Sequence, residues 1–393
     1  MDELNFILLI SNHCKRKMIL TEGLVEVIRE LITLKRGNRK SKKLWVRSWI
    51  GRRNQLGISD TLLKELAVED TSSYINFLRI NEEMFNVLLQ KVAPKIQKQN
   101  TMMREALPAK VGKSSISEFV PEVFNAIFEE LKEYIEVPRE KSKWNKIIDG
   151  FNSLWNFPSC IGAIDGKHIV MECPANSGSN YYKGTFSIVL LALVDHNYNF
   201  TCIDIGSYGS NSDGGIFAKS ALKKAIEEHV LDTPTDSVIL GDDAFPLLPY
   251  LMKPYARRNH STEREKVYNY RHCRARCIVE NGFGILSSRF RVFRRPITLT
   301  PENTIQLVKA ACALHNWIRK NGKNPNSISV DIEDTETGRL LNGSRRNDTS
   351  PTGLQNLETI LQRNPNTEAK DKRNSLADYF VGEGAVVWQN RMI

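Results

Sequence analysis

Three acidic residues stand in segments where a charge is unexpected. Asp165 lies inside residues 160–171 (CIGAIDGKHIVM), an apolar run that predicts a buried strand. Asp242 follows a second apolar run in SVILGDDAF, and Glu280 lies in RCIVENGFGIL. A buried carboxylate without a partner costs several kcal/mol, and carboxylate oxygens are the ligands that Mg²⁺ and Mn²⁺ prefer. The three acids therefore predict a shared site for divalent metal ions.

Glu280 is the least expected of the three because of the charge around it. Between residues 257 and 295 the chain has eleven Lys or Arg residues and only three acids. Two of these, Glu263 and Glu265, stand at a predicted helix start, where the helix dipole favours negative charge. Glu280 lacks that explanation, so it is either a metal ligand or the partner of Arg276, four residues earlier on the same helix face.

Two further acids are candidate accessory ligands. Asp243 is adjacent to Asp242, and spacing alone allows either of them to be the ligand. Asp213 precedes a predicted helix, so it either caps that helix or reaches the metal site. Lys167 shares a strand face with Asp165 and is a candidate phosphate contact.

Basic residues provide candidate nucleic-acid contacts around these acids. The candidates are Lys167, Arg276, Arg289, Arg291, Arg294 and Arg295. For the last four a solvated face is the alternative. The formal net charge of +10 and the isoelectric point near 9.2 favour an acidic partner such as DNA. Residues 35–53 carry nine Lys or Arg, which predicts a nuclear-import signal, a phosphate-contacting arm or a solvated charge run.

The periodicity of the chain changes near residue 150. Apolar residues at helical spacing predict helices from 59 to 150. The later pattern is three strands, a helix, a strand and a long helix. The predicted strands are 160–171, 186–195, 200–207 and 237–241, and the predicted helices are 214–230, 262–290 and 302–320. This order predicts an α/β fold of the ribonuclease-H-like type, in which the first strand is central and the strand after the crossover helix lies beside it.

Composition places the chain among reduced, globular proteins. Its 393 residues suffice for about two to three domains. The seven cysteines show no zinc-ligand spacing, so a reducing compartment is expected. The first residues lack the charge pattern of a secretory signal, and the longest apolar run is far shorter than a membrane span.

Residues 160–316 resemble the DDE endonuclease domain of PIF/Harbinger transposases and of their domesticated relatives, the Harbinger-derived nuclease and ALP1-like proteins. The matching segments are IGAIDGKHI, NYYKGTFSIVLLALVDHNYNFTCIDIGSYGSNSDGGIF, VILGDDAFPLLPYLMKPY, NYRHCRARCIVENGFGILSSRFRVF and ACALHNWI. The resemblance implies that Asp165, Asp242 and Glu280 form the metal-binding triad. It also implies a nuclear, Mg²⁺- or Mn²⁺-dependent nuclease that cleaves DNA phosphodiesters by a two-metal mechanism.

The resemblance implies partners as well. A Myb/SANT-like DNA-binding protein is expected to assist nuclear import and targeting, an oligomer is allowed, and the cytoplasm is a second expected location. The alternative is a domesticated, catalytically idle chromatin or transcription factor that acts through its partners. A degraded transposon copy that does not fold stably is the third interpretation.

Four regions follow from these patterns. They are a basic segment 1–58, a helical region 59–150 with a shortened helix-turn-helix, the endonuclease domain 151–320, and a tail 321–393 that is mostly disordered with a docking segment at 376–388. The helix-turn-helix is shortened because only residues 108–111 separate two segments between which family members have about two further helices. That departure favours a loss of sequence-specific DNA binding or an error in the gene model.

Overall fold

The computed structural model describes residues 61–96, 113–256, 262–322, 332–333, 340–341, 353–356 and 366–393. The chain divides into two units, 1–65 and 66–393, and almost all described residues belong to the second. The basic run 35–53 and the short connection 108–111 lie outside the described residues. None of the described helices is long and apolar enough to cross a membrane.

Helices dominate the first described part and then alternate with strands. The helices are α1 Leu62–Glu69, α2 Thr71–Leu78, α3 Glu82–Ile96, α4 Lys113–Leu131, α5 Lys141–Trp155, α6 Asp213–Lys219, α7 Ala221–Glu227, α8 Glu263–Arg289, α9 Pro301–Asn321 and α10 Thr367–Val381. The strands are β1 Cys160–Val170, β2 Tyr182–Lys183, β3 Thr185–Val194, β4 Phe200–Tyr208, β5 Val238–Leu240, β6 Leu251–Met252, β7 Ile332–Glu333, β8 Leu340–Leu341 and β9 Leu354–Asn356.

One mixed sheet organises the molecule. Its strands lie in the order β2-β3-β1-β5-β6, with β4 paired to β3 and β9 paired to β1. Strand β1 is antiparallel to β3 and parallel to β5, and all of its residues are buried. Helices α5 and α8 pack against β1, and α9 packs against β4 and α4. The predicted ribonuclease-H-like fold, with the first strand central and the post-crossover strand beside it, is confirmed.

The edge of β1 opposite β3 is divided between two neighbours. Strand β5 pairs with the first part of β1, from Cys160 to Ala163, and β9 pairs with the last part, from Lys167 to Ile169. Asp165 lies between these two pairings. The chain that leaves β5 can therefore approach β1 beside this acid.

The crossover between β4 and β5 differs from the single helix predicted over 214–230. Ser220 has an extended backbone (φ −70°, ψ 148°), and its Oγ accepts a hydrogen bond from the backbone N of Lys223. The crossover therefore consists of two short helices, α6 and α7, joined at a capping serine. A residue that caps the second helix cannot continue the first, because its backbone leaves the helical region.

The terminal segment, for which the sequence allows docking on the core or on a partner, contacts α8. The buried guanidinium of Arg271 lies 4.6 Å from the ring centre of Phe380, and that of Arg274 lies 4.5 Å from the ring of Trp388. Arg271 also donates a hydrogen bond to Oε1 of Gln389, at 3.0 Å. The docked segment begins earlier than predicted, since α10 starts at Thr367.

The predicted disordered linker after residue 320 contains an ordered strand. Strand β9 adds to the edge of β1, and Leu354 is buried there. The backbone N of Gly353 donates to the carbonyl of Phe293, which ties this strand to the segment after α8. Part of the polar tail is thus a component of the central sheet, which the low apolar content of the tail does not indicate.

Candidate metal centre

The parallel register of β1 and β5 places two of the acids side by side. Ala163 pairs with Leu240, and each of these strands reaches an aspartate two residues further on. Residues at equal distances from a paired position lie opposite each other on parallel strands. Asp165 and Asp242 therefore meet at the same end of the sheet.

A third aspartate reaches this position from α6. Ser212, and not Asp213, caps α6, because its Oγ accepts a hydrogen bond from the backbone N of Gly215. The close packing of Gly214 then fixes the start of the helix against the loop after β5. A Cβ atom at Gly214 would lie only 2.9 Å from the carbonyl oxygen of Ala244. Asp213 is free of a capping role and lies beside the other two aspartates.

The three aspartates form a compact cluster. Ligand oxygens of Asp165, Asp213 and Asp242 all lie within 4.8 Å of one another. Asp165 and Asp213 are 5% and 1% exposed, and Oδ1 of Asp213 is buried without a hydrogen-bond partner among the residues that the structure describes. Burying a carboxylate oxygen without a partner is unfavourable in free energy, so a bound cation would stabilise this atom. The donor set fits a hard divalent metal ion such as Mg²⁺ or Mn²⁺.

Burial and mutual repulsion disturb the protonation of the cluster. Burial raises the pKa of Asp165, and the charge of Asp242 raises it further, while Lys167 and Arg276 oppose the change. Burial and the charges of Asp165 and Asp242 together raise the pKa of Asp213 to about 8. A bound cation would reverse both effects, since it stabilises the ionised carboxylates.

Two lysines counter the negative charge of the cluster. Nζ of Lys167 lies 3.2 Å from Oδ2 of Asp165, and both side chains are almost fully buried. The same ammonium lies 5.7 Å from the ring centre of Phe283. Lys183, at the end of β2, lowers the pKa of Asp213 by its charge. Lys167 shares the face of Asp165 as predicted, whereas the role of Lys183 has no sequence signal.

Glu280 does not join the compact cluster. Its Oε1 accepts a hydrogen bond from Nη2 of Arg276 at 2.7 Å, and its side chain is 42% exposed. This is the ion pair that the spacing allows as the alternative interpretation. Glu280 as a metal ligand thus stays a prediction, whereas Asp213 gains support over its interpretation as a helix cap.

The remaining candidates occupy mixed positions. The carbonyl oxygen of Asp243 accepts a hydrogen bond from Nζ of Lys253 at 3.2 Å, and Asp243 is not part of the compact cluster. Arg289 is only 3% exposed, so its side chain belongs to the interior and not to a DNA-binding rim. Arg291 and Arg295 are exposed, and Arg294 is half-buried.

A family model described as DDE superfamily endonuclease matches residues 164–316, which include Asp165, Asp213, Asp242 and Glu280. The segment is therefore similar to DDE-type endonuclease domains. Its relatives include HARBI1 and ALP1-like proteins, so the resemblance predicted from the motifs is confirmed.

Three curated relatives illustrate the similarity. The human protein HARBI1, whose name describes it as a candidate nuclease, is 27% identical over 217 residues, covering 54% of this chain and 61% of its own length. Protein ALP1-like of Arabidopsis thaliana is 30% identical over 208 residues, which are 49% of this chain and 48% of that protein. The Arabidopsis protein named Antagonist of Like Heterochromatin Protein 1 is 24% identical over 222 residues, with coverages of 53% and 56%.

The extent of these matches is limited. The chain spans about half to three fifths of the length of these curated relatives. No solved structure shows a significant match to the chain.

Proposed function

We propose that this chain is a divalent-metal-dependent DNA endonuclease in which Asp165, Asp213 and Asp242 hold Mg²⁺ or Mn²⁺. The observation that carries the proposal is the convergence of three carboxylates within 4.8 Å, one with a buried oxygen that lacks a partner. The DDE-type domain and the names of its relatives support the same chemistry. When bound, such ions polarise the scissile phosphate and activate water for hydrolysis.

The side chains of the site have separate tasks in this proposal. Asp242 is oriented by the hydrogen bond that its Oδ1 accepts from the backbone N of Ala244, at 2.9 Å. Asp165 is held in place by Lys167, whose ammonium can turn to a DNA phosphate once another cation balances the carboxylate. Glu280 is the fourth acid and would complete the ligand set of a second metal ion.

DNA is the proposed substrate because three basic side chains, those of Lys167, Lys183 and Arg276, interact electrostatically with the acidic cluster. The exposed side chains of Arg291 and Arg295 follow α8 directly and are suited to phosphate contacts. The net charge of +10 supports a polyanionic partner. A nuclear location and a Myb/SANT-like targeting partner belong to the same proposal and are supported by the family resemblance.

Asp213 and Asp243 provide a matched pair of variants for the test. Asp213→Asn removes a ligand of the cluster, whereas Asp243→Asn removes an acid that lies next to Asp242 but outside the cluster. We expect Asp213→Asn to reduce Mn²⁺-dependent nicking of supercoiled DNA by about 10²-fold or more, and Asp243→Asn to change it little. Gel assays of nicking and calorimetric titration with Mn²⁺ measure the two effects.

Asp165→Asn provides the baseline for that assay. Nicking by the wild-type protein that does not exceed the baseline of Asp165→Asn would remove the enzymatic proposal. Equal losses in Asp213→Asn and Asp243→Asn would show that the loop as a whole, and not the cluster, is responsible.

A chromatin-associated role without catalysis is the second candidate. It is supported by the ion pair between Glu280 and Arg276 and by the name of the Arabidopsis relative, Antagonist of Like Heterochromatin Protein 1. This candidate predicts DNA or partner binding that Asp165→Asn leaves intact and no cleavage in Mn²⁺. The nicking assay and a parallel DNA-binding measurement separate the two functions.

A further inference from the structure

Arg276 connects the three aspartates with the fourth acid. Burial would lower the pKa of Arg276, but the attraction of Glu280 and of Asp165 outweighs burial and raises it. The side chain is only 16% exposed, and its Nη2 binds Oε1 of Glu280. One largely buried cation therefore interacts with a member of the cluster and with an acid outside it.

Helix stability does not explain this pair. An arginine four residues before a glutamate has the less favourable orientation with respect to the helix dipole, and such pairs contribute only about 0.2–0.5 kcal/mol. The neighbouring arginines of α8 behave differently. The guanidinium groups of Arg271 and Arg274 donate hydrogen bonds to oxygen atoms of residues 155–156, and Arg271 also donates to Gln389 of the terminal segment. These contacts give both arginines a structural role. Arg276, in contrast, pairs with Glu280, an acid of the proposed site.

We propose that Arg276 is a positioning residue that decides whether Glu280 joins the metal site. The inference rests on the proposed metal-dependent function. In the arrangement described above, Arg276 holds Glu280 and supplies positive charge to the aspartates. A divalent cation held by the aspartates would cancel the attraction of Arg276 to Asp165 and would compete with Arg276 for the carboxylate of Glu280. Glu280 would then be available as a further ligand.

This exchange makes Arg276 a competitor of the metal ion. Its charge stabilises the metal-free aspartates, so metal binding must displace that interaction. The guanidinium that is released from Glu280 remains at the edge of the site, where a DNA phosphate is its natural partner. Metal loading and substrate contact would thereby be coupled through a single side chain.

Calorimetric titration of the full chain with MnCl₂ tests the inference without any measurement of cleavage. We expect Arg276→Gln to bind Mn²⁺ more tightly by on the order of tenfold, because a competing charge and the restraint on Glu280 are both removed. Arg276→Lys retains the charge and should lie close to the wild type. Arg139→Gln, which removes an exposed arginine far along the chain, controls for the loss of one positive charge.

The double variant Arg276→Gln/Glu280→Gln tests whether the gain in Mn²⁺ affinity depends on the carboxylate of Glu280. The gain in affinity should shrink when Glu280 is also changed, since the released carboxylate is then absent. Equal or weaker Mn²⁺ binding by Arg276→Gln, with its cooperative melting transition retained, would overturn the inference.

Glu280→Gln provides a second test if Arg276→Gln does not fold. This variant leaves Arg276 without its acid partner and should weaken Mn²⁺ binding, whereas unchanged affinity contradicts the inference. A wild-type protein that binds no Mn²⁺ would instead remove the proposed metal site itself, and this inference with it.

Discussion

Two buried histidines make the stability of the folded protein depend on pH. His272 on α8 is fully buried, and its Nε2 lies 3.1 Å from the carbonyl oxygen of Met252. Burial lowers the pKa of His272 to about 3, and the nearby charges of Arg276 and Arg373 contribute. Burial likewise lowers the pKa of His315 well below its usual range. Both side chains are therefore neutral in the folded protein.

Acid should therefore destabilise the protein through His272. Its stabilising contribution is fully present above the unfolded-state pKa of about 6.5 and is lost as the pH falls towards the folded-state pKa of about 3. We expect the free energy of unfolding of the wild type to fall by about 1.4 kcal/mol per pH unit more than that of His272→Gln below pH 6. Urea denaturation between pH 7.5 and 4.5 measures both slopes.

The comparison of slopes isolates His272 from opposing groups. The raised pKa of Asp213 has the opposite sign, because a carboxyl group that binds its proton more tightly when folded gains stability as the pH falls from about 8. Parallel slopes for wild type and His272→Gln would contradict the buried, neutral state of His272.

Single residues differ in how far the sequence determines their role. Asp165 and Asp242 are predictable because each follows or interrupts an apolar strand, and a parallel register brings them together. Asp213 is ambiguous in sequence, since Ser212 and Asp213 are both good capping residues and only the structure shows which one caps. The sequence also leaves the partner of Glu280 undetermined. The spacing along the helix allows an ion pair with Arg276, and the fold allows Glu280 to bind a metal ion.

At the scale of elements, the approach of α6 to the loop after β5 decides whether the cluster exists. Gly214 lies at this contact. A Cβ atom added at this position would be 2.9 Å from the carbonyl oxygen of Ala244. Real Cβ atoms do not approach a backbone oxygen this closely, so any larger residue must move the helix or the loop. Asp213 and Asp242 lie on the two sides of this contact.

Gly214→Ala should therefore weaken the metal site without touching a carboxylate. We expect the affinity for Mn²⁺ to fall by on the order of tenfold, because the displaced helix carries Asp213 away from its neighbours. Gly215→Ala is the matched control on the same helix, since its Cβ would approach only the Oγ of Ser212, at 3.2 Å. Calorimetric titration of both variants, together with their melting temperatures, provides the measurement.

Equal effects of the two alanine variants would show that the close contact at Gly214 is not required.

Strands β1, β3 and β4 were predictable to within one or two residues from apolar and β-branched runs. The break of the crossover helix at Ser220 was not, because a serine inside an amphipathic pattern is compatible with both one helix and two. Strand β9 was missed for a related reason, since three residues in a polar tail give no periodicity.

At the scale of the whole molecule, the terminal segment completes the packing of the helix that carries Arg276 and Glu280. Trp388 is 4% exposed and lies against Arg274 and Tyr270, with ring centres of the aromatic pair 6.0 Å apart. Phe380 stacks on Phe157 at 5.1 Å. A family domain match that ends at residue 316 therefore stops short of the residues that stabilise this domain.

Trp388→Ala should destabilise the protein by about 3 kcal/mol, because it removes a buried aromatic ring and one of the two rings that contact the guanidinium of Arg274. Val387→Ala changes the adjacent side chain, which is 94% exposed, and should change the free energy of unfolding by less than about 0.5 kcal/mol. Thermal and urea denaturation of both variants provide the comparison. Similar stability of the two variants would mean that the terminal segment does not support α8.

The hydrogen bond between Arg271 and Gln389 joins residues 118 positions apart. During synthesis on the ribosome, all four acids emerge long before the residues that cover the buried arginines of α8. A nascent chain that has reached only α9 leaves these arginines uncovered, and unprotected intermediates of this kind are prone to misassembly. The packing of α8 therefore depends on contacts that can form only after residue 389 has been synthesised.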